Sequence, residues 1–235
     1  MFIIEIANLK IQIINKYKYL RLLCKDYIID SSSSDFSVSV TDEEIIEEAK
    51  VNPIKQSNPY LESICIYRKI AFNVLKYDAF LIHGSAIKID NNAYLFCAKS
   101  GIGKTTHTMN LKTLLGDKLT FINGDKPIIR LINNTPVVFG SPWCGKENYG
   151  SNTFAPLKAI VFLERSEENI ITNTTKKEII KKLLKQILVP SDVTKLDKTF
   201  DLLNKTLDNV KLFNLKCTKE LDSAKISYDA IKNCF

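Results

Sequence analysis

The chain has 235 residues, of which 45% are hydrophobic and 25% charged, as in a folded globular protein of one large or two small domains. Its net charge of +7 permits an anionic partner, but the lysines are spread over polar helix faces such as 176–185, which does not favour a nucleic-acid-binding protein. No apolar run approaches the roughly 18 residues of a membrane span, and the N-terminus lacks the basic segment and cleavage site of a signal peptide. We therefore expect a soluble, cytoplasmic protein with no membrane association.

The cysteine pattern agrees with a cytoplasmic protein. The six cysteines are scattered and show no C-x-x-C spacing. Most of them lie in apolar segments, where a free cysteine packs like a small hydrophobic side chain. Context and spacing predict reduced thiols, rather than zinc ligands or disulfides, for Cys24, Cys65, Cys97, Cys144, Cys217 and Cys234.

The first 79 residues predict a small α+β region. Three segments alternate apolar and polar residues as half-buried strands do, namely Phe2–Ile6, Leu9–Ile14 and Phe36–Val40. Thr41 and Glu44 form a capping box that begins an acidic helix. After a loop that contains two prolines, the apolar spacing of Tyr60–Leu75 predicts a longer helix.

A hairpin that leads into a glycine-rich loop is predicted next. Its strands are Ala79–Ile89 and Tyr94–Cys97, and the residues between them, Asp90-Asn91-Asn92, tolerate the left-handed conformations of a tight turn. The second strand runs directly into the sequence S-G-I-G-K-T-T, after which Thr105–Leu115 has the pattern of a helix. Strand, loop and helix therefore follow one another without a break.

Strands and helices continue to the end of the chain. The predicted strands are Leu119–Ile122, a hairpin of Ile128–Ile132 with Val137–Phe139, Ala159–Leu163 and Val210–Cys217. The predicted helices are Thr175–Leu188, Asp192–Asn209 and Glu220–Lys232, the first with a capping box from Thr175 to Glu178. A long loop with three glycines, Gly140–Pro156, separates two of the strands, and loops of this length are usually functional or disordered.

The glycine-rich loop predicts a nucleotide site. It fits the phosphate-loop pattern G-x-x-x-x-G-K-[ST], except that Ala98 stands where the first glycine is expected. Most of the backbone N–H groups that surround phosphates in such loops come from residues that are present here, so the alanine is a tolerable change. In this pattern Lys104 contacts phosphate oxygens and Thr105 ligates Mg²⁺. We expect ATP with Mg²⁺ to bind at Ser100, Gly101, Ile102, Gly103, Lys104, Thr105 and Thr106.

Three further polar residues lie near this loop in the predicted topology. Asp125 follows the first strand after the loop's helix, where a carboxylate can hold Mg²⁺ or accept a proton from an attacking hydroxyl. The alternative is an aspartate of an N-G-D turn. The two histidines of the chain, His83 and His107, flank the loop in sequence, so His83 is a candidate for the phosphate site, whereas His107 is a candidate there or a residue that only packs its helix.

These motifs together resemble the catalytic domain of HPr kinase/phosphorylase and its relative, ATP-dependent phosphoenolpyruvate carboxykinase. The resemblance is closer to small stand-alone HPr-kinase-like proteins, some of which phosphorylate a serine of ribosomally made peptides such as lasso peptides. It covers about residues 79–235, and the first part of the chain matches only the small kinases. The residues that carry the resemblance are His83-Gly84, Ser100–Thr106, Asn123–Lys126, Gly140–Glu147 and Leu163-Glu164-Arg165.

The resemblance implies an α/β fold, with a phosphate-loop mixed β-sheet of the HPr kinase/phosphoenolpyruvate carboxykinase type and flanking helices. It also implies two regions: residues 1–79 as a small α+β extension, packed on a catalytic domain of residues 80–235. His83 would line the phosphate site, Lys104 would bind phosphate, and Thr105 and Asp125 would hold the metal. Asp125 would also be the catalytic base.

The chain departs from the family at one of these positions. The family often has two adjacent aspartates, whereas this chain has Gly124 before Asp125. Either Asp125 serves as the base while Thr105 and the phosphates hold the metal, or the enzyme is weak or inactive. Glu147 is a candidate for the acidic metal residue that HPr kinases place later in the chain. The sequence shows no signature of the dephosphorylating activity.

The long loop and the strand after it add candidates with two interpretations each. Lys146 either reaches the γ-phosphate or the acceptor, or it is a solvated charge. Trp143 either forms a wall of the cleft or anchors the loop in the core. Arg165 follows a buried strand, where ligand sites of α/β proteins tend to form, so it is a candidate phosphate contact.

The sequence therefore favours an ATP-dependent kinase that acts on a hydroxyl, most plausibly a serine or threonine of a peptide or protein. A kinase for a small metabolite is a second interpretation, which a closed, polar cleft would support. A nucleotide-responsive regulatory module without catalytic activity is a third, and Gly124 is the residue that favours it. The acceptor, the phosphate donor (ATP, another triphosphate or pyrophosphate) and the oligomeric state, with a homo-oligomer as one option, stay open.

Overall fold

The fold is mixed α/β, as the sequence predicts. The computed structural model describes residues 1–52 and 54–232, and in these residues the chain forms a four-stranded sheet, a nine-stranded sheet and seven α-helices. We call the two sheets the small sheet and the large sheet. None of the described helices combines the length and the apolar character that a membrane crossing requires.

The small sheet and three helices form the N-terminal part of the chain. Its strands are β1 (Phe2–Ile6), β2 (Leu9–Ile14), β3 (Ile28–Ile29) and β4 (Phe36–Ser39), in the spatial order β3-β1-β2-β4. The helices are α1 (Lys18–Leu23), α2 (Asp42–Val51) and α3 (Asn58–Asn73). The predicted capping box is confirmed, since Glu44 N–H donates to the hydroxyl of Thr41 and the Glu44 carboxylate accepts from Thr41 N–H.

The large sheet contains the remaining strands. They are β5 (Ala79–Leu81), β6 (Ser85–Ile89), β7 (Asn92–Cys97), β8 (Leu119–Asn123), β9 (Ile128–Ile132), β10 (Thr135–Phe139), β11 (Phe154–Arg165), β12 (Ile170–Asn173) and β13 (Lys211–Cys217). Their order is β5-β9-β10-β11-β7-β6-β8, and β13 pairs with the second part of β11 and with β12. Strand β11 is parallel to β7 and to β13. The helices are α4 (Lys104–Leu115), α5 (Lys176–Leu183), α6 (Val193–Asp208) and α7 (Leu221–Ile231).

The prediction of one long strand at Ala79–Ile89 is wrong. The chain breaks at residues 82–84, so that β5 pairs with β9 at one end of the large sheet, whereas β6 pairs with β7 and β8 near the other end. Gly84 lies at this break, where an added Cβ would be only 2.8 Å from Leu95 Cδ1. Only glycine therefore fits without movement of its neighbours.

Two connections between strands run from one end of the large sheet to the other, and they lie side by side. One joins β5 to β6 and the other joins β8 to β9. Backbone hydrogen bonds link them, from Ile82 N–H to the carbonyl of Pro127 at 3.3 Å and from Gly84 N–H to the carbonyl of Asp125 at 3.0 Å. This pairing brings His83 beside Asp125, although the two residues belong to different strand connections.

Other boundaries differ less from the prediction. Strand β11 has 12 residues, because it begins at Phe154 inside the predicted loop and extends to Arg165. The loop before β11 is therefore shorter than predicted. Three elements of the structure, α1, β3 and β12, were not predicted. The second capping box is confirmed at the start of α5, between Thr175 and Glu178.

The N-terminal part packs on the large sheet through one buried cluster. Side chains of the small sheet, such as Ile4 and Ile11, belong to the same cluster as Leu81, Phe139 and Trp143. The division into regions 1–79 and 80–235 and the phosphate-loop type of the sheet stay predictions. Cys24, Cys65, Cys97, Cys144 and Cys217 are free thiols, in agreement with the sequence, and Cys234 lies outside the described residues.

Candidate active site

A cleft of about 780 Å³ contains most of the predicted site residues. It lies where the loop after β7, the connection after β8, the loop before β11 and helices α1 and α3 meet. Its lining residues are Tyr19, Leu23, Tyr60, Ser63, Ile64, His83, Gly101, Gly103, Lys104, Thr105, Thr106, Gly124, Asp125, Lys126, Pro142, Trp143, Cys144, Gly145, Lys146, Glu147 and Asn148.

The glycine-rich loop has a conformation suited to an anion. Gly101 and Gly103 have positive φ angles of 77° and 115°, which glycine adopts without strain. Gly103 is the N-cap of α4, and in the part of the chain that the structure describes no side chain caps this helix. The first backbone N–H groups of α4 are therefore available to a ligand, and the helix dipole favours negative charge at this end.

Lys104 and Thr105 begin α4 beside these N–H groups. The Lys104 ammonium lies 3.5 Å from the carbonyl oxygen of Ala98, which is a long hydrogen bond for a lysine. Burial lowers the pKa of Lys104. Ala98 is fully buried directly after β7, in line with its predicted place at the end of the strand. Lys104 thus begins the helix that follows the glycine-rich loop, and its side chain lines the cleft.

Asp125 has a basic partner at each carboxylate oxygen. His83 Nε2 lies 3.1 Å from Oδ1, and Lys126 Nζ lies 2.6 Å from Oδ2. Burial by itself would raise the pKa of Asp125, but the hydrogen bond from His83 and the charge of Lys126 outweigh it, so the pKa lies well below its usual value. The carboxylate is ionised at neutral pH.

Asn123 fixes the backbone at this carboxylate. Its side-chain oxygen accepts hydrogen bonds from the N–H groups of Asp125 and Lys126, at 2.8 and 2.6 Å. Its amide nitrogen donates to the carbonyl oxygens of Ser141 and Trp143, at 3.0 and 3.3 Å. The beginning of the long loop is therefore bound to the Asp125 turn, and the longest exposed stretch of the loop is 145–148.

Gly124 is closely surrounded by backbone atoms of the long loop. Its N–H donates to the carbonyl oxygen of Tyr149 at 2.7 Å. A Cβ at this position would lie 3.1 Å from that oxygen and 3.3 Å from the carbonyl oxygen of Cys144. A side chain here would require these two carbonyl oxygens to shift by a few tenths of an ångström.

Three further candidates lie at the edge of the site. Lys146 is exposed and lines the cleft. Arg165, at the end of β11, places Nη2 3.3 Å from the carbonyl oxygen of Gly101, beside the glycine-rich loop. Trp143 is 6% exposed and packs on Tyr67 with ring centroids 5.4 Å apart. Trp143 therefore anchors the loop in the core and also borders the cleft.

A metal at this site would depend on phosphate oxygens. In the described residues no group of three or more histidine, cysteine, aspartate or glutamate side chains is arranged to hold a metal ion. The Thr105 hydroxyl and the Asp125 carboxylate line the same cleft, and both are hard oxygen donors. This set fits Mg²⁺, which proteins commonly bind through one or two carboxylates and substrate phosphates. Glu147 lines the cleft as well.

His107 is not part of the cleft lining. It is 3% exposed, and its ring nitrogens lie 2.9 Å from the hydroxyl of Ser227 and 3.3 Å from the hydroxyl of Ser223, both on α7. Its ring also packs on Phe96 of β7. The interpretation that His107 packs its helix is therefore the one that agrees with the structure.

The buried position of His107 predicts a loss of stability in acid. Burial lowers the pKa of His107 from 6.5 to about 4, so the neutral ring stabilises the fold fully above pH 6.5. As the pH falls to about 4 the unfolded chain takes up the proton first, and the free energy of unfolding drops by about 3 kcal/mol from this group. Urea titrations across this range should show the decrease in wild type and a smaller one in His107→Gln; the same decrease in both would assign it to other groups.

Sequence reasoning missed several residues of the cleft. Lys126 belongs to the motif Asn123–Lys126, but the sequence assigned it no role; the available signal was its position directly after Asp125. The α1 and α3 side chains Tyr19, Tyr60 and Ile64 gave no signal, because their contribution depends on how the N-terminal part packs on the large sheet.

Comparisons with known proteins add a distant likeness. No family model matches the chain, and no curated protein sequence does. Among solved structures, the chain is similar to the HPr(Ser) kinase/phosphatase from Coxiella burnetii, with a TM-score of 0.36 and 9% sequence identity over 65% of this chain and 94% of that chain. This likeness is distant, and the function proposed below rests on the geometry of the cleft.

Proposed function

We propose that the chain is an ATP-dependent kinase that transfers the γ-phosphoryl group to a hydroxyl, namely that of a serine or threonine in a peptide or protein. One observation supports this most directly. The glycine-rich loop, with Lys104 at an uncapped helix N-terminus, shares a cleft with the ionised carboxylate of Asp125. This pairing suits phosphoryl transfer, because cationic and N–H donors bind the phosphates and a carboxylate can accept the proton of the hydroxyl.

The proposed reaction uses these residues as follows. The acceptor oxygen attacks the γ-phosphorus, the bond to the β–γ bridging oxygen breaks, and ADP leaves with the electron pair. Asp125 takes the proton of the acceptor hydroxyl, and His83 orients the Asp125 carboxylate. Lys104 and the N–H groups of α4 bind the phosphates, with Arg165 and Lys146 at the edge. Mg²⁺, held by Thr105 and the phosphate oxygens, would neutralise charge on the β- and γ-phosphates and leave the second oxygen of Asp125 for the proton.

The N-terminal side of the cleft supports a peptide acceptor. Tyr19 and Tyr60 are 39% and 38% exposed and line the cleft, and Leu23 and Ile64 lie beside them in the lining. Partly exposed aromatic and aliphatic side chains suit the side chains of a peptide. A small polar metabolite would be better served by a closed, polar cleft, so the metabolite kinase is the weaker alternative.

A regulatory module that binds nucleotide without catalysis is a second candidate. The observation that favours it is Gly124, because Asp125 is then a single carboxylate where the family that the sequence resembles often has two. Such a module would bind ATP at the glycine-rich loop and would transfer no phosphate.

The test is a transfer assay with labelled ATP. Wild-type protein, Mg²⁺ and γ-labelled ATP are incubated with peptides that contain serine or threonine, and with the same peptides carrying alanine at those positions. We expect label only in the hydroxyl-containing peptides. ATP binding without transfer to any peptide would favour the regulatory module, and transfer to small alcohols alone would favour the metabolite kinase.

A further inference from the structure

Lys126 lines the cleft, and its ammonium contacts both a carboxylate and an aromatic ring. Its ammonium lies 2.6 Å from Asp125 Oδ2 and 5.5 Å from the centre of the Tyr67 ring. The side chain is 29% exposed and lines the same cleft as Lys104. Its backbone is fixed, because Lys126 N–H donates to Asn123 and the Lys126 carbonyl accepts from the hydroxyl of Ser141 at 2.8 Å. Only the flexible part of the side chain is free to move.

The contact between Lys126 and Asp125 conflicts with the proposed role of the Asp125 carboxylate as proton acceptor. His83 already contacts Oδ1, so Lys126 occupies the remaining oxygen. A carboxylate with both oxygens engaged is less available to a metal or to the proton of an acceptor. A nucleoside triphosphate in the cleft would bring several phosphate charges, which compete with one carboxylate for the same ammonium.

We propose that Lys126 is a second phosphate-binding lysine, which leaves Asp125 for the γ-phosphate when a nucleoside triphosphate binds and thereby frees the carboxylate. The inference rests on the proposed function, since it needs a triphosphate at the glycine-rich loop. It assigns Lys126 a contact with the transferred group and couples nucleotide binding to the release of Asp125. Lys126 exchanges no proton in this step and adds no atom to the reaction.

The contact with the ring of Tyr67 suits such a change of partner. The attraction between a ring face and an ammonium depends little on direction. The Tyr67 ring can therefore contact the ammonium in both of its positions. Asn123 and Ser141 hold the backbone in place during the movement, and the four-carbon stem of the lysine supplies the reach.

Comparison of ADP with a non-hydrolysable ATP analogue tests the inference without catalysis. Lys126→Met should weaken the analogue about tenfold, the scale of one charge-assisted hydrogen bond, and should leave ADP within about twofold. Lys126→Arg should retain much of the affinity for the analogue. Lys99→Met is the control for loss of a positive charge near the loop, since Lys99 is exposed and is not among the lining residues; it should change neither affinity.

Each outcome has a clear meaning. An equal loss of affinity for ADP and for the analogue would overturn the inference, because Lys126 would then not distinguish the γ-phosphate. No nucleotide binding by the wild type would instead refute the proposed function.

A double-mutant cycle without Mg²⁺ provides a second readout. If Asp125 and the γ-phosphate compete for Lys126, Asp125→Asn should bind the analogue more tightly than wild type, and Lys126→Met should remove that gain. Independent effects of the two substitutions would show that no competition exists and would also overturn the inference. Thermal unfolding of each variant without ligand shows whether the fold is retained.

Discussion

Replacing Lys104 with alanine is expected to remove most ATP binding and to leave the fold intact. The ammonium lies at the start of α4 beside N–H groups that no side chain of the described residues caps, so it adds a positive charge to that end of the cleft. Loss of two charge-assisted hydrogen bonds corresponds to roughly 10²-fold in affinity. Calorimetric titration with ATP and Mg²⁺ measures this change directly.

The fold should tolerate the change because Lys104 has a weak structural contact. Its hydrogen bond to the Ala98 carbonyl is 3.5 Å long. Lys99→Ala, which removes an exposed lysine two residues before Gly101, is the matched control and should bind ATP as wild type does. Equal ATP affinity in wild type and Lys104→Ala would show that the glycine-rich loop does not bind the phosphates.

The parts of the fold that local sequence determines were predicted well. Strands β1 and β2 agree with their prediction at both ends, because apolar residues at every second position appear directly in the sequence and are the buried ones. Both capping boxes, at Thr41 and at Thr175, were predicted since each involves only residues three apart. The positive φ angles of Asn133 and Asn134 confirm the turn between β9 and β10.

Features that depend on distant packing were not predicted. Ala79–Ile89 is mostly apolar, and the break at Gly84 becomes visible only when β7 lies against it. Helix α1 has six residues and no side-chain cap in the described part of the chain, so it gives little local signal. Strand β12 is exposed along most of its length and therefore lacks the alternation that marks a strand.

The same distinction holds for the candidate site. The glycine-rich loop is a contiguous motif, and Asp125 follows from one helix and one strand, so both were found in the sequence. The contact of His83 and Lys126 with Asp125 could not be predicted, because it arises where the two crossing connections of the large sheet lie side by side. The close approach of carbonyl oxygens to Gly124 could not be predicted either, because it depends on the path of the 144–149 segment.

Asp125→Asn is expected to lower the rate of phosphoryl transfer by roughly 10² or more, the scale of a lost general base. The substitution keeps the shape of the side chain and removes its charge, and asparagine cannot accept the proton of the acceptor hydroxyl. ATP affinity should fall much less, because the loop backbone and Lys104 supply most of the phosphate contacts. Transfer to serine-containing peptides, measured beside ATP affinity, separates these effects.

Asp117→Asn is the matched control, since Asp117 is a fully exposed aspartate whose carboxylate lies 3.8 Å from Lys112. It should transfer phosphate at the wild-type rate. If the chain is instead a regulatory module, neither wild type nor Asp125→Asn should transfer phosphate. The substitution should then cause at most a metal-dependent change in ATP affinity. Wild-type transfer that persists unchanged in Asp125→Asn would mean that another group accepts the proton. His83 is then the next candidate, because its Nε2 lies 3.1 Å from the Asp125 carboxylate and its side chain lines the same cleft.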